Sequence, residues 1–301
     1  MAASEPVVRT SPLQETTIGK SVRYEGVSLH RGEIVCVNFC PAKAGSGIVF
    51  VRTDCGVEIP AHADHVVETR LSTTLGMDKI RIQTTEHILA AAYGLGILNL
   101  RIELNGPELP IADGSALPYV NLLLDAGIVH PNADAQDRVP MTLDAPLFVA
   151  GPQGTAAWIS ASPLDALDAL SLSYTVDYDP PAGAQHFCYD HSPKAFIEQI
   201  APARTFAFMK DVEEMHAAGL ALGGSLENAI VFSGLGLLNP EGLRFEDEPV
   251  RHKILDLIGD LALLGRPLLG KIEAVRAGHA LHLRLVQQIL ARACTADVSR
   301  V

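Results

Sequence analysis

The sequence predicts an α+β protein made of two similar halves, and three observations carry that prediction. Its 301 residues are about twice an ordinary domain. The first half reads as strands, then helix, strand and helix, which is not the strict alternation of a doubly wound parallel sheet. The second half repeats the same grammar.

In the first half, Val35–Phe39 and Gly47–Arg52 are rich in strand formers. Thr84–Gly94 carries Ile88, Leu89, Ala92 and Tyr93 at helical spacing. Leu98–Leu104 alternates apolar and polar residues and reads as a half-buried strand. The turn-rich Asn105–Pro110 follows, and Ala112–Ala116 leads into a helix near Leu117–Ala126. A polar stretch, His130–Arg138, separates the halves, giving domains 1–130 and 139–301. Beyond it, strands are expected near Leu147–Val149, Ala156–Ser160 and Leu170–Asp177, and helices near Pro193–Ile200 and Asp211–Ala218. A helix over His252–Leu264, a strand over Ile272–Ala277 and a last helix over His279–Arg292 complete the pattern. No residue-level repeat links the two halves.

Apolar residues make up 48% of the chain and charged residues 19%, enough for a sizeable aliphatic core and unlike a disordered protein. A net charge of -12 excludes nonspecific nucleic-acid binding, which needs a broad field of Lys and Arg, but leaves room for an anionic small molecule at a local basic cluster. The five cysteines form no CxxC pair and their odd number closes no disulfide framework, so they read as reduced thiols. Cys36 and Cys40 would share one face of a strand, where a buried position is favoured over a metal site. The first twenty residues lack the apolar stretch of a signal peptide, and no apolar run reaches the roughly 18 residues that cross a bilayer. A soluble, cytoplasmic monomer is the expectation.

The most specific local feature is His252-Lys253-Ile254-Leu255-Asp256-Leu257-Ile258-Gly259-Asp260. On a helix, residues four apart lie about 5–6 Å apart on one face, so His252 and Asp256 can close on one cation. Zinc accepts imidazole and carboxylate, and a catalytic site uses three protein ligands with a fourth position open. A third ligand must come from elsewhere, and Thr84-Thr85-Glu86-His87 offers one beside a free carboxylate. Taken singly, His-x-x-x-Asp is also the pattern of a surface ion pair, and Glu86 that of a first-turn acid favoured by the helix dipole. In Gly278-His279-Ala280-Leu281-His282, His279 follows a strand and a glycine, a junction where side chains project into clefts. His282 reads either as a second ligand there or as a partly exposed helix residue.

Together these motifs resemble the UDP-3-O-acyl-N-acetylglucosamine deacetylases, zinc enzymes of lipid A synthesis. The resemblance runs over nearly the whole chain. It includes Gly26-Val27-Ser28-Leu29-His30, Thr85-Glu86-His87, Pro110–Ala116, Ala203–Phe208, Leu222–Ser225, Gly242–Glu248, Arg251–Asp260 and Gly278–Leu281. It implies one Zn2+, with iron the alternative in the cell, held by His87, His252 and Asp256. Glu86 is then the general base, His279 the general acid and Asp260 its orienting partner. Thr205 stands beside the scissile carbonyl, Phe206 against the sugar, and Lys253 and Arg276 near the sugar and phosphates.

The resemblance further implies two α+β domains, each a small sheet with two helices, stacked sheet–helices–helices–sheet. An insert near 170–200 would form a passage for the fatty acyl chain. No fused dehydratase domain is expected after the last helix. Ser72 stands where some members have a cysteine able to bind a second, inhibitory zinc. Arg276 stands where others have lysine, keeping the charge but not the geometry. The implied reaction removes the N-acetyl group from UDP-3-O-acyl-N-acetylglucosamine. A non-catalytic sugar-nucleotide or acyl-chain binder, and a zinc amidase for another N-acyl sugar, are the competing readings. Glu86 and His279 speak against the first, since binding needs neither.

Overall fold

The computed structural model describes residues 13–131, 138–164 and 169–298. Residues 132–137 of the expected linker lie outside the described residues. Period-two patterning builds the first sheet: in Ile34–Pro41, Val35, Val37 and Phe39 are buried while Cys36, Asn38 and Cys40 face outward. The two cysteines share a face, but it is the outer one, which corrects the expectation that they are buried. The bulkier Val and Phe fill the core, and Cys36 Sγ contacts Arg23 and Glu25 at the surface.

The strand order of this sheet is Val22–Val27, Ile34–Pro41, Leu100–Leu104, Ile48–Arg52, Val57–Pro60. All neighbours are antiparallel except Leu100–Leu104 with Ile48–Arg52. A second sheet runs Leu147–Ala150, Trp158–Ser162, Leu268–Val275, Leu170–Asp177, Ala184–Asp190. Here too one pair is parallel, Leu268–Val275 with Leu170–Asp177. In both, the fifth strand in chain order inserts between the second and the third, and the parallel pair requires a crossover carrying a helix. The expected strand 272–277 starts earlier, at Leu268, and ends at Val275, because Arg276 takes a left-handed φ of 48° that breaks the extended backbone.

Leu170–Asp177 and Ala184–Asp190 are thus strands of the main sheet, which corrects the placement of an insert at 170–200. An alternating strand reads the same whether it lines a passage or a core. The extra chain of the second half lies later, in a small sheet of Phe206–Phe208, Ile230–Ser233 and Gly236–Leu237. The first half has its own excursion, Val66–Glu68, Thr74–Met77 and Ile80–Ile82.

The helices are α1 (Glu86–Gly94), α2 (Leu117–Ala126), α3 (Pro193–Ala195, continued by a wider turn over Phe196–Ile200), α4 (Met209–Ala217), α5 (Glu248–Leu261) and α6 (His279–Val298). Helix α5 begins four residues before the expected His252, because Pro249 presets the φ of its first turn and Arg251 bonds back to Asp247 at 2.6 Å. Its partner is α1, whose Ile88, Leu89, Ala90, Ala91 and Ala92 are all buried. The crossing is close: a Cβ on Gly259 of α5 would stand 2.1 Å from the Glu86 carbonyl oxygen, so only glycine fits. One apolar core runs through both halves, including Phe39, Phe50, Tyr119, Leu172, Ile254 and Leu285. Full burial of each large apolar side chain stabilises by about 1.5–3 kcal/mol. Among the described residues, no helix is long and apolar enough to cross a membrane.

Candidate active site

The α1–α5 crossing sets the N-terminus of α1 against the middle of α5. His87, His252 and Asp256 meet there, all buried, with their ligand atoms within 4.8 Å of one another. His252 Nε2 lies 3.4 Å and His87 Nε2 3.9 Å from Asp256 Oδ1. Two ligand atoms about 2.0–2.1 Å from one tetrahedral zinc are about 3.3–3.4 Å apart, so the three converge as ligands of one ion do. The second nitrogen of His252, Nδ1, is 3.0 Å from the Ala203 carbonyl and donates to it, which leaves the Nε2 lone pair for a cation. His87 Nδ1 has no hydrogen-bond partner among the described residues. The other oxygen of Asp256, Oδ2, accepts from Lys253 Nζ at 2.6 Å.

Two titratable groups, Glu86 and His279, flank this cluster. Glu86 Oε2 accepts from the Thr73 backbone N–H at 3.0 Å, and its Oε1 lies 3.9 Å from His279 Nε2. His279 Nδ1 is 2.7 Å from Asp260 Oδ2, and the Thr73 hydroxyl donates to Asp260 Oδ1 at 2.5 Å. Thr73 therefore touches the groups on both sides of the cluster. Thr84, two residues before Glu86, is held at a φ of 60°, a costly conformation for a β-branched residue and one that concentrates at functional sites.

Electrostatics separate the roles. Burial raises the Glu86 carboxyl to about 7, with Asp256 and Asp260 adding to the effect and His279 opposing it. Burial opposes charge on His279, but Asp260, Asp256 and Glu86 outweigh it and raise the imidazole to about 9. Burial also works against ionised Asp260, yet its two histidines hold it at about 2. His87 is pushed down to about 3 by burial and by neighbouring His252, and His252 is lowered chiefly by burial. Both imidazoles are therefore neutral at pH 7, as binding a metal would require. For Asp256, burial is outweighed by Lys253 and the surrounding histidines, so it stays ionised. A base poised near neutrality beside a charged acid is the pairing expected at a catalytic centre.

These groups open into a cavity of about 640 Å³, bordered among others by Leu29, His30, Ser72, Thr205, Phe206 and Arg276. A family model described as UDP-3-O-acyl N-acetylglycosamine deacetylase matches residues 15–291. The chain belongs to that family. A UDP-3-O-acyl-N-acetylglucosamine deacetylase of Anaeromyxobacter sp. (strain Fw109-5) is 47% identical, the match covering 92% of this chain and 88% of the relative. Those of Anaeromyxobacter dehalogenans (strain 2CP-C) and Myxococcus xanthus (strain DK1622) are 45% and 44% identical, over 95% and 94% of this chain and 91% and 88% of their own.

Within this deacetylase, all ten residues singled out from the sequence lie at or directly behind the cavity. Glu86, His87, Thr205, Phe206, His252, Lys253, Asp256, Arg276 and His279 border it, and Asp260 sits behind His279. Phe206 packs edge-on against His252, with ring centroids 6.3 Å apart. Lys253 is mostly buried; burial opposes its charge, but Asp256 holds it well above its ordinary value. Arg276 is half exposed at the rim and 3.3 Å from Asp177. His282 is fully buried, which corrects the reading of it as a partly exposed helix residue, and its Nδ1 lies 2.8 Å from Asp260 Oδ2, apart from the His87–His252–Asp256 cluster.

The sequence reading passed over Thr73, Tyr174 and His30. His30 is 5% exposed, borders the cavity, and among the described residues has no hydrogen-bond partner on either ring nitrogen. Its signal was available in the Gly26–His30 motif. Thr73 and Tyr174 act through tertiary contacts, for which the local sequence holds no signal.

Proposed function

We propose that this deacetylase hydrolyses the N-acetyl group of UDP-3-O-acyl-N-acetylglucosamine, giving acetate and UDP-3-O-acyl-glucosamine, an early step of lipid A biosynthesis. The observation that carries this reading is the convergence of His87, His252 and Asp256 with a carboxyl and an imidazole on either flank. Zinc held by the three would supply Lewis acidity toward water and the amide carbonyl near neutral pH.

Glu86 takes the proton of the attacking water on Oε1, its other oxygen being fixed by Thr73. The Thr205 hydroxyl donates to the oxyanion as charge develops there. An amide anion is too poor a leaving group, so His279 delivers a proton from Nε2 to the departing nitrogen, while Asp260 holds Nδ1. Phe206 lies against the sugar. Lys253 keeps two N–H donors beyond its bond to Asp256, and with Arg276 it offers positive charge to the diphosphate of an otherwise acidic protein.

The reading includes two domains, 1–130 and 139–301, stacked sheet–helices–helices–sheet, in a cytoplasmic monomer. The repeated strand order and the α1–α5 contact support that arrangement. The acyl chain is assigned to the 206–237 excursion, where Ile230 and Phe232 pack with Tyr178, Phe206, Phe208 and Leu237 in a second apolar cluster.

Mass-spectrometric detection of the product that has lost acetyl, made with zinc-loaded and with chelated protein, tests the reading. Product formed only with metal is the expected result. Substrate binding without turnover by the loaded protein would leave the binding-only reading ahead.

A further inference from the structure

His282 has no part in the reaction described above, yet both of its ring nitrogens face a polar partner. It lies on the first turn of α6, three residues after His279, and is fully buried. Its Nδ1 is 2.8 Å from Asp260 Oδ2, the oxygen that also faces His279 Nδ1 at 2.7 Å. Both separations are hydrogen-bond lengths and shorter than the about 3.3–3.4 Å between ligands of a tetrahedral ion, so protons rather than a second metal join Asp260, His279 and His282. An ionised carboxylate offers lone pairs alone, so each facing nitrogen carries its hydrogen.

On its far side, His282 Nε2 is 3.1 Å from the Tyr174 hydroxyl, which is 2.7 Å from the Ala277 carbonyl. Tyr174 belongs to the main sheet and is completely buried. With Nδ1 of His282 protonated, Nε2 and the Ala277 carbonyl are both acceptors and share the one Tyr174 hydroxyl proton, which links the strand Leu170–Asp177 to the turn that precedes His279 and to His282. Thr73 holds one oxygen of Asp260 and His282 the other. Without His282, Oδ2 keeps one hydrogen bond, to the imidazole it has to align.

We infer that His282, backed by Tyr174, is a positioning residue for the deacetylation: it holds the Asp260 carboxylate in the orientation that aims the proton of His279 at the leaving nitrogen. The inference rests on the proposed function, but it concerns a residue that touches neither metal ligands nor substrate. Partners one step removed from the reacting groups typically cost 10–100-fold when lost.

The experiment is steady-state kinetics on UDP-3-O-acyl-N-acetylglucosamine, with the full-length zinc-loaded chain, for wild type, H282L, H282N, D260N and the double variant D260N/H282L. H282L should lower kcat by about 10–100-fold with KM and metal content near wild type. H282N, whose amide N–H stands close to the place of Nδ1–H, should recover most of that loss. In the D260N background, H282L should cost little more, because its effect runs through Asp260. Should H282L fail to fold, H282N and Y174F carry the test, with a kcat loss smaller for H282N than for Y174F. Wild-type kcat in H282L, or an undiminished further loss in the D260N background, would overturn the inference. An inactive zinc-loaded wild type would instead contradict the deacetylase reading itself.

Discussion

The sheet of residues 22–104 and the sheet of residues 147–275 share one strand order and one parallel pair, yet the helices they bring to the crossing differ. Helix α1 is apolar along its length and polar only at its start, in Glu86 and His87. Helix α5 carries four buried polar residues at four-residue spacing: Glu248, His252, Asp256 and Asp260. Three of these have charged partners, Arg204 for Glu248, Lys253 for Asp256 and His279 for Asp260. Glu86 has one backbone N–H and a carboxyl raised to about 7. The second half thus supplies a polar frame paired within itself, whereas the first half inserts a carboxyl whose nearest cation, His279 at 3.9 Å, comes from the other half, which is why Glu86 is the group proposed to exchange protons.

The largest way to break this comparison is to remove the group from the first half. Glu86→Gln keeps the size of the side chain and its contact with the Thr73 N–H, and should lose on the order of 10²–10⁴ in kcat with metal retained. Turnover near wild type would remove Glu86 as base. The crossing itself is next. Gly259→Ala drives a Cβ to within 2.1 Å of the Glu86 carbonyl oxygen, so α1 and α5 must part. A loss of about 1–3 kcal/mol in denaturant unfolding is expected, with a fall in kcat as the ligands from the two helices separate. An Ala variant of unchanged stability would show that the close approach is not what joins them.

The smallest effect sharpens the comparison within the second half alone. His191 is pushed down to about 4 by burial, with Nδ1 beside the Tyr189 hydroxyl at 2.9 Å. Its unfolded value is near 6.5, so between pH about 6.5 and 4 the unfolded chain binds the extra proton, and stability falls as pH falls. His191→Gln should flatten that part of the stability–pH curve by roughly 1–3 kcal/mol between pH 7 and 4.5. A variant curve parallel to wild type would assign the acid sensitivity to other groups.

Much of this was legible in the sequence, because short-range periodicity reports directly on strands and helices. Leu170–Asp177 alternates as it should, and the spacing of His252 and Asp256 placed both on one helical face. What the period cannot say is which face is inside: Cys36 and Cys40 lie on the outer face, opposite Val35, Val37 and Phe39. Nor can it say what a strand lines: Leu170–Asp177 alternates, yet it pairs inside the main sheet, while the separate small sheet lies at 206–237. In the site, the family motifs located the side chains that converge, and His87 was joined to His252 and Asp256 by resemblance and not by spacing. Thr73, Tyr174 and His282 depend on a loop, a strand and a helix start meeting around one carboxylate, which no local pattern encodes.

The proposed function requires one ion held across the α1–α5 crossing, with one ligand from α1 and two from α5. Its most direct test is the metal content of the purified wild type beside that of H87A and H252A, measured by elemental mass spectrometry with thermal unfolding as a check on the fold. One zinc per wild-type chain is expected, with little or none in either folded variant. Full occupancy in H87A would contradict it, by showing that α5 holds the metal without the first half.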